Sequence, residues 1–267
     1  MFGLIGCGTM GSALLQGIIH KKLVDKNEIV VFDLDAERAK LLKEKMGIKI
    51  AADAQTLCSQ AQKIFLAVKP QDMQELLLQI KPVLNPDHLL ISIAAGLSIS
   101  FFEKKLGKPL KIIRIMPNTP CLVGEGMSVI CKSAAVSDKE MQGVTTLVEA
   151  LGKVTSLEEK YMSAVTGLSG SGPAYIYLVI EALADGGVEM GLSRDAALLI
   201  AAQTVLGAAK MILETGEHPA VLKNKVTSPG GTTSAGLLAL EEGRVKASLI
   251  KAVVEAAKRE RALSDQN

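Results

Sequence analysis

The segment Gly6-Cys7-Gly8-Thr9-Met10-Gly11 closes the apolar run that begins at Phe2 and leads into the helix-period stretch around Ala13-Leu14-Leu15. A G-x-G-x-x-G spacing between a strand and a helix constrains the backbone at three points. The first glycine permits a tight turn, the second lets the main chain approach a pyrophosphate, and the third lets helix and strand pack closely. A phosphate placed there meets N–H groups that the first helical turn leaves unpaired. The motif also fits a tight β-α turn without a ligand, so its context must decide.

That context is an alternation of apolar runs with helix-period segments, the pattern of stacked βαβ units and a parallel sheet. Strands are predicted at Phe2 to Gly6, Glu28 to Asp33, Lys63 to Val68, His88 to Ile93, Lys111 to Met116, Met127 to Cys131 and Lys153 to Ser156. Helices are predicted between them, among them Ala36 to Met46 and Asp72 to Ile80. Ser137 and Glu140 have capping-box spacing and predict a helix start, as do Ser156 and Glu159. From there on, every long segment reads as helix. The expectation is an α/β domain over residues 1–156, followed by an all-α domain over residues 157–267. In the second part, Pro173 to Met190 and Arg194 to Glu214 are apolar around most of their circumference, more than a small helical domain can bury by itself. A homodimer is the expected solution. The last helix, Arg244 to Leu263, has an ordinary wet face.

Lysine and arginine total 30 against 28 acidic residues, and no basic run builds a nucleic-acid stripe. The four cysteines, Cys7, Cys58, Cys121 and Cys131, lack metal-ligand or C-x-x-C spacing, which predicts a reducing, cytoplasmic setting and no metal site. The start, MFGLIGCGTM, has no basic region ahead of its first strand, which argues against a secretory signal. Mean hydropathy is +0.30. The longest apolar stretch, Ala196 to Ala209, is nevertheless short for roughly 30 Å of hydrocarbon. A buried or subunit-interface helix is expected there, and no membrane association.

The remaining signals gather where ligands of open α/β sheets collect, beyond the carboxyl ends of the strands. Asp33 lies 22 residues after Gly11, where an acid accepts from a ribose diol and repels a 2′-phosphate. Asp35 adds to that repulsion, and Arg38 offsets it or stacks on adenine. This favours acceptance of NADH without excluding NADPH; the alternative is that Asp33 and Asp35 only build a turn and a helix cap. Ala67-Val68-Lys69-Pro70, Ala94-Ala95-Gly96 and Met116-Pro117-Asn118-Thr119-Pro120 share the same edge. Their small residues leave room for a flat nicotinamide ring, although βα turns favour such residues anyway. In the helical half, Ser228-Pro229-Gly230-Gly231-Thr232-Thr233 precedes a helix predicted from Thr233 to Glu242. It suits a carboxylate, with N–H donors from Gly231, Thr232 and Thr233 beside the Ser228 hydroxyl. His20, His88 and His218 sit in structural contexts. No Ser-His-Asp set or nucleophile elbow is present, which leaves hydride chemistry to a cofactor.

These motifs resemble the pyrroline-5-carboxylate reductase family over the whole chain. GCGTMG, LAVKPQ, SIAAG, RIMPNTP, VTGLSGSGPAY, LADGGVEMGL and HPAVLKNKVTSPGGTTSAGLLALE carry the resemblance, the last fitting the family signature from Pro219 to Glu241. It implies a Rossmann NAD(P)-binding domain followed by a helical dimerisation and substrate-binding domain, with dimers that assemble further into decamers. It implies reduction of 1-pyrroline-5-carboxylate to L-proline, the last step of proline biosynthesis. Gly6, Cys7, Gly8, Thr9, Met10, Gly11, Ala67, Val68, Lys69, Pro70, Ala94 and Ala95 would hold the dinucleotide, with Asp33 and Asn118 completing the cofactor set. Ser228, Gly231 and Thr232 would hold the substrate carboxylate, and Thr233 would serve the ring nitrogen. Thr166 and Glu159 would line or support that pocket, Thr166 joining Thr233 as a catalytic candidate.

The chain departs from many relatives at Ala54, where Asn is common, and at Lys225, where Asn or Gln precedes the signature valine. It also carries Asp33 and Asp35 where many relatives have phosphate-tolerant residues. These departures bear on cofactor choice. A β-hydroxyacid dehydrogenase has a similar layout but places a catalytic lysine and asparagine after its glycine-rich helix, where this chain has Ile176 and Val179. The third reading is a dinucleotide-sensing module without catalysis, against which the carboxylate loop argues.

Overall fold

The structure is a computed structural model that describes residues 1–264. Its first half runs β1 (Phe2–Ile5), α1 (Thr9–His20), β2 (Ile29–Phe32), α2 (Ala36–Met46), β3 (Lys49–Ile50), α3 (Ala54–Gln60) and β4 (Lys63–Leu66). It continues through α4 (Pro70–Ile80), β5 (Leu89–Ser92), α5 (Ile99–Leu106), β6 (Lys111–Met116), β7 (Gly126–Lys132), α6 (Asp138–Val148) and β8 (Gly152–Ser156). Then come α7 (Met162–Val165), a π-helical turn (Thr166–Gly170), α8 (Gly172–Glu189) and α9 (Arg194–Thr215). The chain finishes with α10 (Pro219–Lys225), α11 (Thr232–Glu242) and α12 (Val245–Ser264).

The eight strands form one sheet in the order β3-β2-β1-β4-β5-β6-β7-β8. The first six are parallel, and the order reverses between β1 and β4, so their carboxyl ends open a crevice at the switch point. Successive strand residues enter opposite cores. Ile5, Val30, Ile64 and Leu90 face α3, α4 and α5, while Leu4, Val31, Phe65 and Ile91 face α1 and α6. This alternation with both faces covered explains why the strands read as continuous apolar runs.

The expectation of a parallel sheet needs correction at one edge. β7 is antiparallel to β6, and β8 is parallel to β7. The connection from β6 to β7 holds only a short 3₁₀ turn at Thr119–Val123, which is too little chain for a parallel crossover. The Ser137–Glu140 capping box is present, with both reciprocal bonds made. The Ser156–Glu159 box is not. Ser156 ends β8, and the Glu159 carboxylate accepts from the Ile99 N–H at 2.7 Å and from Arg114 at 3.3 Å instead.

Packing divides the chain at Ser171/Gly172 rather than at 156. One unit holds Met1–Ser171 together with the C-terminal stretch from Glu255, and the other is Gly172–Val254. The ties of Glu159 to Ile99 and Arg114 explain why the stretch after β8 belongs to the sheet unit. In the second unit α8 and α9 form an antiparallel pair whose buried apolar residues are only Ala184, Ala197 and Ala201. Leu178, Leu199, Leu206 and Leu213 are exposed on the protomer. As folded, α9 has 22 residues and is long and apolar enough to cross a membrane by length and composition, so the shortness expected of this stretch does not hold for the whole helix. Arg194, Asp195, Lys210 and Glu214 lie near its two ends.

Candidate active site

At the crevice, the Gly6 N–H donates to the Phe32 carbonyl at 2.9 Å and the Ala67 N–H to the Ile5 carbonyl at 2.8 Å, which draws the glycine loop against β2 and β4. Gly6 has φ +99°, and a side chain there would strike the Ala67 backbone. At Gly11 a side chain would collide with the Gly6 carbonyl oxygen. Gly8 is different. Its φ of −68° suits any residue, and a β-carbon there would meet nothing within 4 Å. Neither conformation nor packing inside the chain calls for glycine at this position, whereas a ligand lying against the main chain does. Gly8 is also the N-cap of α1 and offers no side chain to the helix N–H groups. Thr9 is exposed and Met10 half-buried beside them. The loop therefore fits the pyrophosphate of a dinucleotide on the space it leaves as well as on its spacing.

Cys7 and Asp33 form the hinge of this loop. The Cys7 N–H donates to Asp33 Oδ2 at 2.6 Å, and the Asp35 N–H donates to Asp33 Oδ1 at 2.8 Å. The carboxylate is thus held at the end of β2 with lone pairs to spare for a sugar hydroxyl. Burial pushes the Cys7 thiol up to about 12, with the Asp33 charge adding and Arg38 opposing, so it stays a neutral thiol. Asp35 caps α2 by accepting from the Glu37 and Arg38 N–H groups, and its other oxygen pairs with Arg38 Nε at 3.1 Å. The helix-cap reading of Asp35 is the one realised.

Beside the loop lies a cavity of about 320 Å³, large enough for an adenosine group. Of the residues expected at a cofactor, Gly6, Gly8, Asp33, Asp35, Arg38, Ala67, Val68 and Lys69 line it. Asp72, Glu75 and Gln79 on α4 line it too, and the sequence reading did not pick them out. Their i, i+3, i+7 spacing was the available signal. Pro70 opens α4, and the preceding Lys69 is exposed. Of the two alanines after β5, Ala94 is buried and Ala95 exposed.

Several expected contacts are engaged inside the chain. Asn118 donates to the Ser169 carbonyl at 3.1 Å and accepts from the Met127 N–H at 2.9 Å, which makes it a brace between the β6–β7 loop and the π-helical turn. The Thr166 hydroxyl donates to the Met162 carbonyl at 3.0 Å, so it presents lone pairs rather than a proton. Both ring nitrogens of His88 meet chain groups, Nε2 lying 2.9 Å from the Cys58 carbonyl. His218 caps α10.

In the helical unit, Ser228 to Gly231 form a turn in which the Gly231 N–H donates to the Ser228 carbonyl at 3.0 Å. This corrects the expected donor set: Gly231 contributes shape, and a side chain there would strike the Ser228 hydroxyl. The N–H groups of Thr232 and Thr233 remain as first-turn donors of α11, whose cap position provides no side-chain acceptor. Ser228 and Thr232 are exposed, and Thr233 is half-buried.

Comparisons with known proteins cover both units. Residues 159–263 match the family described as pyrroline-5-carboxylate reductase dimerisation, and residues 1–96 match the one described as NADP oxidoreductase, coenzyme F420-dependent. The pyrroline-5-carboxylate reductase of Pisum sativum is 42% identical over 262 residues, covering 98% of this chain and 95% of that protein. A solved pyrroline-5-carboxylate reductase from Coxiella burnetii has a TM-score of 0.93 at 35% identity, with 98% of this chain and 97% of that one covered. The Plasmodium falciparum pyrroline carboxylate reductase, solved with NADP bound, has a TM-score of 0.88 at 35% identity over the same shares. The chain belongs to the pyrroline-5-carboxylate reductase family.

Proposed function

We propose that this protein reduces 1-pyrroline-5-carboxylate to L-proline with a reduced nicotinamide dinucleotide, and that it accepts NADH as well as NADPH. The observation that carries the reading is Gly8, a glycine with no internal reason to be one, at a helix N-terminus in a chain matched across 98% of its length to reductases of this substrate. Acceptance of NADH rests on Asp33, held by the Cys7 and Asp35 N–H groups where a ribose diol would lie.

When bound, the reduced nicotinamide supplies the hydride, and the chain supplies orientation and a proton path. The first-turn N–H groups of Thr232 and Thr233, with the Ser228 hydroxyl, would hold the substrate carboxylate. The Thr233 hydroxyl makes no hydrogen bond among the described residues and would serve the ring nitrogen. Threonine is too weak an acid to supply the proton alone, so its role is to orient the ring or relay a proton from water. Thr166, with its proton engaged, would accept from the substrate or that water. Fixing the two rings face to face would provide most of the acceleration.

The working unit is a homodimer built on the apolar faces of α8 and α9, with decamers as the further assembly that the family resemblance suggests. Four buried, unpaired cysteines favour a reducing, cytoplasmic setting. The test is product identity: proline should accumulate in step with oxidised dinucleotide, and dinucleotide oxidation without proline would overturn the reading.

A further inference from the structure

The cavity beside the glycine loop is acidic on two sides. Asp33 and Asp35 approach it from the end of β2, and Asp72 and Glu75 from α4. Four carboxylates thus face two cations, Arg38 and Lys69. Arg38 is partly offset, since Asp35 pairs with its Nε at 3.1 Å while capping the helix on which Arg38 sits, and only its Nη groups are left to meet an anion. Asp72 and Glu75 have no cationic partner among the described residues. Glu75 accepts only a long bond from Gln79, at 3.4 Å, so their charge is not cancelled locally. Leu76, directly after Glu75 and one turn on from Asp72, is buried and packs into the sheet core, which fixes the side of α4 that lines the cavity.

We propose that Asp72 and Glu75 are specificity-determining residues that, with Asp35, make this cavity select a dinucleotide whose adenosine ribose carries a free 2′-hydroxyl. The proposal rests on the reading above that the cavity receives the adenosine end of a nicotinamide dinucleotide. A 2′-phosphate brings close to two negative charges into a space where the one guanidinium is already partly offset. A carboxylate about 8 Å from such a dianion weakens binding roughly fivefold even at the dielectric of water, and the contributions of several carboxylates multiply. A ribose hydroxyl meets no such penalty and finds an acceptor in Asp33. The sheet end offers one wall of acids, and α4 adds a second.

The test is direct binding, without substrate, of NADH and NADPH by fluorescence titration and of 5′-AMP and adenosine 2′,5′-bisphosphate by calorimetry, at low and high salt. NADH and 5′-AMP should bind at least about tenfold tighter than their 2′-phosphorylated counterparts at low salt, and the ratio should shrink as salt screens the carboxylates. In Asp72→Asn/Glu75→Gln the ratio should fall at least about threefold through tighter binding of the phosphorylated ligands. Equal affinities in the parent, or a ratio that the double variant leaves alone, would overturn the proposal while leaving the reductase reading in place. Failure of both dinucleotides to bind would overturn both.

Discussion

Arg114, on β6, donates through Nη2 to the Glu260 carboxylate at 3.2 Å, tying the middle of the sheet to the last helix across 146 positions of sequence. Its Nη1 reaches Glu159 at 3.3 Å. Both Arg114 and Glu260 are buried, and Glu260 Oε2 has no hydrogen-bond partner among the described residues. Ser264 adds a bond from the end of α12 to the Gly96 carbonyl at 3.0 Å, in the loop that follows β5. Arg114→Met strands the buried Glu260 carboxylate and takes one of two partners from Glu159, and should lower stability by about 3–5 kcal/mol, the scale of breaking a buried pair from one side. Glu260→Gln, which keeps shape and removes charge, should cost far less. Urea unfolding at fixed protomer concentration measures both, and near-equal losses would contradict the assignment of the cost to uncompensated charge.

Gly8 and Gly11 separate folding from binding. Gly11→Ala should destabilise, because the new methyl meets the Gly6 carbonyl oxygen. Gly8→Ala should fold with unchanged or slightly raised stability, since its φ already suits alanine. It should nonetheless weaken dinucleotide binding by on the order of tenfold or more by obstructing the pyrophosphate. Thermal melts and NADH titration of the two variants decide the matter. A Gly8→Ala protein that binds normally would remove the loop from the site.

Much of this was legible because it is local. The ends of α2 at Ala36 and Met46 and the Ser137–Glu140 box follow from spacing and capping within a few residues. The signals that misled have distant partners. Ser156-x-x-Glu159 has the spacing of a box, yet Ile99 and Arg114, far away in sequence, compete for the same carboxylate and prevail. Strand direction is not encoded in hydrophobic periodicity, so the reversal at β7 was visible only in the shortness of its connection. Gly231 was read as a donor because turn bonds are invisible until the turn is built. Asp72 and Glu75 share a helix face by their spacing, but that spacing alone does not say that the face flanks a cavity.

Thr233→Ala tests the proton path. Loss of one aligned donor should lower kcat/KM by on the order of ten- to a thousandfold, while NADH affinity stays near the parent value. Thr233→Ser should recover much of the loss. Steady-state kinetics with unchanged kcat/KM in the alanine variant would take Thr233 out of the mechanism.

The acid limb of stability should report Glu140. Lys111 at 2.8 Å, then the Ser137 hydroxyl and N–H, hold its carboxyl at about 2, well below the ordinary 4.5. A lowered value means that the folded state favours the charged form. The contribution is therefore complete above pH 4.5 and is lost as pH falls from there through 2. Glu140→Gln should be less stable than the parent at neutral pH, with the difference closing across that window. A difference that stayed constant from pH 7 to pH 2 in denaturant titrations would contradict the coupling.

The central claim is tested most directly by steady-state oxidation of NADH and, separately, NADPH by the purified protein with DL-1-pyrroline-5-carboxylate, comparing kcat/KM. The account predicts turnover with both and a higher kcat/KM for NADH. Binding of both dinucleotides without turnover of either would contradict it and leave a dinucleotide-sensing protein in its place.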